Sequence, residues 1–181
     1  MKTAFLGASL AAIVGSVATA DVTYSFTNQT WTGFNFNEAY AAGSLAGTLT
    51  GATVNATLNA STNYTYADDL TVYVAGSPLA LGGALQCGGF SNLNAAQRYS
   101  WANGGSSTPG TTVTGTVNFT TGVDMTANPT LSVWIGNGYG AAGTSGNWTG
   151  SITLLGVSAV PAPGAIALVG LAGLVGRRRR S

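Results

Sequence analysis

Val22-Thr-Tyr-Ser-Phe-Thr27 decides the fold class. Its apolar residues, Val22, Tyr24 and Phe26, take every second position, the period of an extended strand with one buried face. The same reading extends outward along the chain. Ser44 to Leu58 forms a long strand or a tight hairpin; its apolar positions are Leu45, Leu49, Val54 and Leu58, and Gly51 marks a bulge or a turn. Leu70-Thr-Val-Tyr-Val74 is short and almost wholly apolar, and Gly76-Ser-Pro78 stops it. Thr112 to Thr120 alternates again through Val113, Gly115, Val117 and Phe119. Leu131–Ile135 follows Pro129, and Trp148–Leu154 is the last strand. Seven or eight strands separated by turn residues, with no helical period between the chain ends, predict an all-β, two-sheet sandwich of jelly-roll type over residues 21–158.

Composition narrows the chemistry. Only 6% of the 181 residues are charged, against about 25% in an ordinary soluble domain. Between residues 21 and 163, Asp21, Glu38, Asp68, Asp69 and Asp124 face Arg98 alone, a net charge of −4. Phosphate binding needs clustered Lys and Arg on the folded body, so no nucleic-acid partner is expected. The chain has no His, which excludes a Ser-His-Asp triad, a Cys-His pair and histidine-ligated zinc or haem within it.

The two ends read as addresses. Lys2, the apolar run Phe5–Val17 and the small residues Ala18-Thr-Ala20 make a signal peptide over residues 1–20, with Ala18 and Ala20 before a cleavage at Asp21. At the other end, Val160-Pro161-Ala162-Pro163-Gly164 leads into an uncharged run to Gly176, then Arg177, Arg178, Arg179 and Arg180. As a helix, residues 164–176 would span about 20 Å, short of the hydrocarbon core of about 30 Å. The arginines would hold the tail's end in the cytoplasm.

This order of a Pro motif, a short hydrophobic helix and an Arg run, over residues 159–181, resembles the PEP-CTERM sorting signal of Gram-negative-type bacteria. The acidic residue between the prolines of that family is Ala162 here, giving the V-P-A-P-G-A variant. The resemblance implies export, transient anchoring by the tail, and processing by a membrane protease of the exosortase type. It also implies an association with exopolysaccharide. A second resemblance lies in the body. Asp69-Leu70 before Thr-Val-Tyr-Val, and Trp148 in Gly-Asn-Trp-Thr-Gly near the end, look like the P-domain jelly roll found beside subtilisin-type proteases. That resemblance implies a fold and no activity.

Few side chains offer a site. Trp31, Phe34, Phe36 and Tyr40 form one aromatic group, and Trp134, Tyr139 and Trp148 another; both read as filling between sheets. Trp101 lies beside Asn103-Gly104-Gly105 in an irregular stretch and is expected at the surface. It is the first candidate for stacking on a sugar ring, with Trp31 the second. Asp68 and Asp69 are a weak Ca²⁺ candidate without a D-x-D-x-D-G loop, and read first as a solvated turn before a strand. Were they in a strand, they would point to opposite faces, which disfavours the paired carboxylates of a glycosidase. No cofactor is expected. Cys87 is the sole cysteine, either a free or intermolecularly paired thiol or a buried small residue. Asn-x-Ser/Thr triplets start at Asn28, Asn55, Asn59, Asn63, Asn118 and Asn147.

The expected function is non-enzymatic: an exported structural protein of the cell envelope or extracellular matrix, in contact with polysaccharide or with copies of itself. The alternatives are a carbohydrate-binding module or adhesin with a defined site and, less favoured, a glycoside-active enzyme. The targeting reading has a direct check. Intact-mass measurement of protein recovered from the cell surface should give a chain that begins at Asp21 and lacks Gly164–Ser181. A mass that includes the four arginines would identify a permanent anchor instead.

Overall fold

Period-two alternation builds two sheets that face each other. The computed structural model describes residues 21–77 and 82–161. The segment expected to be a signal peptide, with Ala18 and Ala20, lies outside them, as does the expected sorting tail from Ala162, Pro163 and Gly164 through Arg177–Arg180. Nine strands occur among the described residues: β1 (Val22–Thr32), β2 (Phe36–Tyr40), β3 (Leu45–Thr62), β4 (Leu70–Ala75), β5 (Leu85–Cys87), β6 (Gln97–Tyr99), β7 (Thr112–Asp124), β8 (Ser132–Asn137) and β9 (Ser145–Ala159). A four-stranded sheet has the order β1-β9-β3-β7, and a five-stranded sheet the order β2-β8-β4-β5-β6. All pairings are antiparallel except β5 with β6. The all-β two-sheet sandwich is therefore the architecture of the body.

Two strand readings are sharpened. Residues 45–62 make one strand of 18 residues, with no hairpin within it. Gly51 sits at the bulge, where the register to β7 shifts between Leu49 and Gly51. A Cβ there would lie 2.6 Å from the Val117 carbonyl oxygen. Strands β2, β5 and β6 had no sequence signal. With three to five residues each, they hold too few apolar positions to define a period.

The core lies between the sheets. Phe26 and Trp31 of β1, Leu49, Val54 and Leu58 of β3, Val72 and Val74 of β4, and Trp148 and Ile152 of β9 all bury there. Trp31 packs edge-on against Phe26 and tilted against Trp148, at centroid distances of 5.5 and 5.8 Å. The Trp148 ring lies over Gly146, where any Cβ would collide with it, and its indole N–H donates to the Ala67 carbonyl at 3.2 Å. Both aromatic groups of the sequence thus contribute rings to the core, and Trp31, at 1% exposure, is no stacking platform. The outer face of the four-stranded sheet is hydroxylated. Thr23, Thr153, Thr53 and Thr116 form one row across all four strands, with hydroxyl contacts of 2.8 and 2.7 Å at its two ends.

The sandwich has two unlike ends. Thr32, Ser145 and Thr62 are register partners, as are Leu45 and Ala159. The β1–β2, β3–β4 and β8–β9 connections therefore leave from one end. The body's exit toward the tail leaves from the other, where the Val160 N–H donates to the Ser44 carbonyl at 2.8 Å. The 15 residues of β9 separate the two ends by about 45 Å. The long edge strand β7 is shielded: Asn103 Oδ1, the Tyr99 hydroxyl and Gln97 Oε1 accept the amides of Thr114, Thr120 and Thr121. Such cover suppresses edge-to-edge pairing.

Cys87 is fully buried in β5 as a free thiol, which answers the two sequence readings in favour of a small core residue. Burial pushes its thiol pKa up, and the thiolate is the reactive species. In the native protein Cys87 should resist a thiol-specific reagent at neutral pH and react once denaturant is added. Rapid stoichiometric labelling of folded protein would contradict this packing.

Candidate functional site

Between β3 and β4 the chain makes a single 3₁₀ turn, Ala67–Asp69. A 3₁₀ turn leaves backbone amides at its start without partners. Asp69 answers one of them: the Tyr66 N–H donates to Asp69 Oδ2 at 2.7 Å. The other carboxylate oxygen reaches a different connection, accepting the Phe90 N–H at 3.0 Å. One side chain thus ties the β3–β4 connection to the β5–β6 connection. The expectation of a solvated acidic turn needs correcting for Asp69, which is 4% exposed because it closes these two bonds. Asp68 is half-buried. The pair lies in a turn and not in a strand.

The β5–β6 connection is held along its length. Buried Gln86 donates to the Gly88 and Ser91 carbonyls at 3.1 and 2.7 Å and accepts the Leu93 N–H at 3.0 Å. Arg98 Nη2 donates to the Phe90 carbonyl at 2.8 Å and the Gly89 carbonyl at 3.3 Å. The Ser91 N–H donates to the Gly138 carbonyl at 2.9 Å, which adds the β8–β9 connection to the same cluster. Phe90 therefore has its amide and its carbonyl both fixed while its ring is 73% exposed. Burial does not explain a large apolar ring presented in this way.

Around Phe90 the exposed aromatics converge. Tyr64, Tyr66, Asp69, Phe90 and Tyr139 line a cavity of about 130 Å³. Phe90 and Tyr139 meet edge to face, with centroids 5.6 Å apart and planes at 79°. Tyr64 is 78% exposed and takes φ +61°, next to Asn63 at +50°. The left-handed region is costly for a bulky residue and cheap for Gly or Asn. Stability alone would not select Tyr there, and such outliers gather at ligand sites. A second cavity of about 380 Å³ shares Tyr66, Asp69 and Phe90, and adds Asp68, Arg98, Ser100 and Trp101 among its lining.

Trp101 was expected at the surface, and the structure corrects its exposure. Trp101 lines the larger cavity but is 6% exposed. Its indole N–H donates to the Leu70 carbonyl at 2.7 Å, and its ring occupies the space left by Gly88, where a Cβ would collide with it. The residue that meets the expectation set for Trp101 is Phe90, an aromatic between Gly88-Gly89 and Ser91-Asn92. That same signal was there to be read. Tyr64 and Tyr66, in Asn63-Tyr-Thr-Tyr66, carried a weaker one. Tyr139 was assigned to the core group and lies partly exposed in the cavity wall.

The remaining carboxylates do not join the pair. Asp124 is the register partner of Thr48, toward the opposite end of β3, and Glu38 accepts the Ser132 hydroxyl at 2.7 Å. Among the described residues no three of His, Cys, Asp and Glu come together to hold a metal ion. Asp69 ends the turn, Leu70 opens β4 and Trp148 is buried in β9. Comparison of the chain with protein families, with curated proteins and with solved structures finds no match.

Burial makes the charged form of Asp69 costly, and the neighbouring Asp68 charge adds to that. The amide bonds from Tyr66 and Phe90 act the other way but do not cancel it, so Asp69 titrates at about 6 against an ordinary 3.8. Burial raises Asp68 as well. A carboxyl raised on folding stabilises most when protonated, and that contribution is lost as pH rises through the folded-state value. Unfolding followed by denaturant should show the protein gaining on the order of 1 kcal/mol between about pH 7 and about pH 5. Asp69→Asn should remove most of this slope. A wild-type protein that loses stability over the same interval would mean that the two amide bonds outweigh burial.

Proposed function

We propose that this chain is an exported protein of the cell envelope or extracellular matrix that binds polysaccharide without transforming it. In this reading the aromatic cleft beside Asp69 is the saccharide site, and the C-terminal tail is the sorting signal, processed by a membrane protease of the exosortase type. The observation that carries the reading is Phe90, an exposed ring on a backbone fixed at both its amide and its carbonyl. Rigid exposed aromatics stack on the apolar faces of sugars at little conformational cost. Binding is favoured over hydrolysis because both oxygens of Asp69 already accept backbone amides, and the second carboxylate is its chain neighbour. Glycosidase carboxylates face each other across about 5–10 Å of substrate.

The position of the cleft agrees with display. It lies at the end of the sandwich opposite to Ala159, where the chain leaves for the tail. A body tethered by that tail would point its cleft outward. We further read the body as a jelly roll with one added strand. Setting β6 aside, the orders β1-β9-β3-β7 and β2-β8-β4-β5 are those of two interleaved Greek keys of four strands each. Self-association is the second reading, favoured by β1, an edge strand of 11 residues.

Electrophoresis in native gels containing polysaccharide from the producing cells tests the proposal. The wild-type chain should be retarded, and a Tyr64→Ala, Phe90→Ala double variant should migrate as in a plain gel. Equal retardation of both would move the site away from the cleft. No retardation by any polysaccharide would overturn the binding reading.

A further inference from the structure

The smaller cavity has a shape and charge that select one kind of group. Its walls are three tyrosines and a phenylalanine, and its one ionisable acid is Asp69. Phe90 and Tyr139 stand nearly perpendicular, at 79°. Coplanar rings make a platform for a flat sugar face; perpendicular rings make the corner of a box. A cation held within about 6 Å of several ring centroids is attracted by each ring's quadrupole, and a carboxylate in the wall adds to that. The volume, about 130 Å³, is close to the roughly 150 Å³ that accommodates benzene. It admits a substituted ammonium group and is too small for a pyranose ring with its hydroxyls.

The larger cavity supplies what the smaller one lacks. It opens from the shared wall of Tyr66, Asp69 and Phe90, holds about 380 Å³, and is lined by Asp68, Arg98 and Ser100 as well as Trp101. These groups suit a polyhydroxylated ring: carboxylate oxygens accept from hydroxyls, and Arg98 and Ser100 donate to them. Arg98 lines the larger cavity and not the smaller, so only the larger sets a cation beside its carboxylates. With a body charge of −4 and Arg98 its sole cation, a positively charged partner is also favoured in its approach.

We propose that the aromatic cavity receives the ammonium group of an amino sugar, whose ring occupies the adjoining cavity. The partner is then a polysaccharide with free amines, an inference that rests on the saccharide-binding reading and narrows it. Phe90 and Tyr139 are the cation-facing walls, Asp69 is the counter-charge, and Asp68, Arg98 and Ser100 read the hydroxyls.

Calorimetric titration of the full-length chain tests this with three probes: a short β-linked glucosamine oligomer, its fully N-acetylated counterpart, and choline. N-acetylation removes the charge and enlarges the group. The deacetylated oligomer should bind about tenfold tighter than the acetylated one. Phe90→Leu keeps apolar bulk at an exposed position and removes the π face; it should fold normally and lose most of that preference. Equal affinity for both oligomers would overturn the amino-sugar assignment and leave the saccharide reading standing. Binding of choline with neither oligomer would also overturn it, since the cavity would then serve a free organic cation. An unchanged preference in Phe90→Leu would remove the aromatic cavity from the account. Binding of none of the three would overturn this assignment, and retardation in polysaccharide gels would decide the saccharide reading separately.

Discussion

The Asp69 carboxylate holds together everything that is distinctive at the loop end of this molecule. One oxygen accepts the amide of Tyr66 and the other that of Phe90. The next residue, Leu70, opens β4, a strand buried on both faces. The tie is thus anchored in the most enclosed part of the sandwich and reaches out to two aromatic residues at its surface. A carboxylate in this position is costly to keep charged, and burial raises its pKa to about 6. The cost is accepted where two separate connections must be held at one spacing. A pair of apolar side chains could not do this, because hydrophobic contact has no direction, whereas a carboxylate with two amides fixes both distance and angle.

Rigid backbone and exposed ring recur together around that tie. Gln86, buried and with three hydrogen bonds, fixes the start of the β5–β6 connection, and Arg98 fixes Phe90 from the other side. Asn63 and Tyr64 keep left-handed backbone, with the Asn63 side-chain amide donating to the Gly143 carbonyl at 3.1 Å. A loop that served only to connect strands would need none of this. Preorganisation of this kind lowers the entropy lost on binding, which is what the proposed recognition would draw on. The outer face of the four-stranded sheet differs in kind. Its rows of hydroxyls satisfy one another across strands and keep a nearly uncharged surface hydrated.

Three strands were legible, Val22–Thr27 and Thr112–Thr120 by their alternation and Leu70–Val74 as an apolar run; they fall within β1, β7 and β4. Gly51 was legible as an irregularity, a bulge or a turn, and the register decides for the bulge. The cleft was legible only in outline. Asp68 and Asp69 were noticed as a pair, but their environment was not, since the amide of Phe90 is 21 residues away from the oxygen it reaches. The exposure expected of Trp101 was wrong, because its burial depends on the side chain that Gly88 lacks.

What the sequence determined by itself was local or compositional. Alternation set the strands and their inward faces, since a period of two survives any arrangement of neighbours. The lack of His, and a single Arg in the body, removed whole classes of chemistry without reference to a fold. The tertiary structure alone decided which aromatics face solvent. Trp101 and Trp31, the candidates for display, are buried; Tyr64, Tyr66 and Phe90 are displayed. The physical reason is that exposure belongs to the packing between segments. The β3–β4 and β8–β9 connections reach one end of the sandwich because Thr62 and Ser145 are register partners, and the β5–β6 connection joins them through the pairing of Cys87 with Val72 and of Leu70 with Asn137 in the other sheet. No single stretch of chain carries that register, and with it the meeting of four rings and one carboxylate in a single cavity.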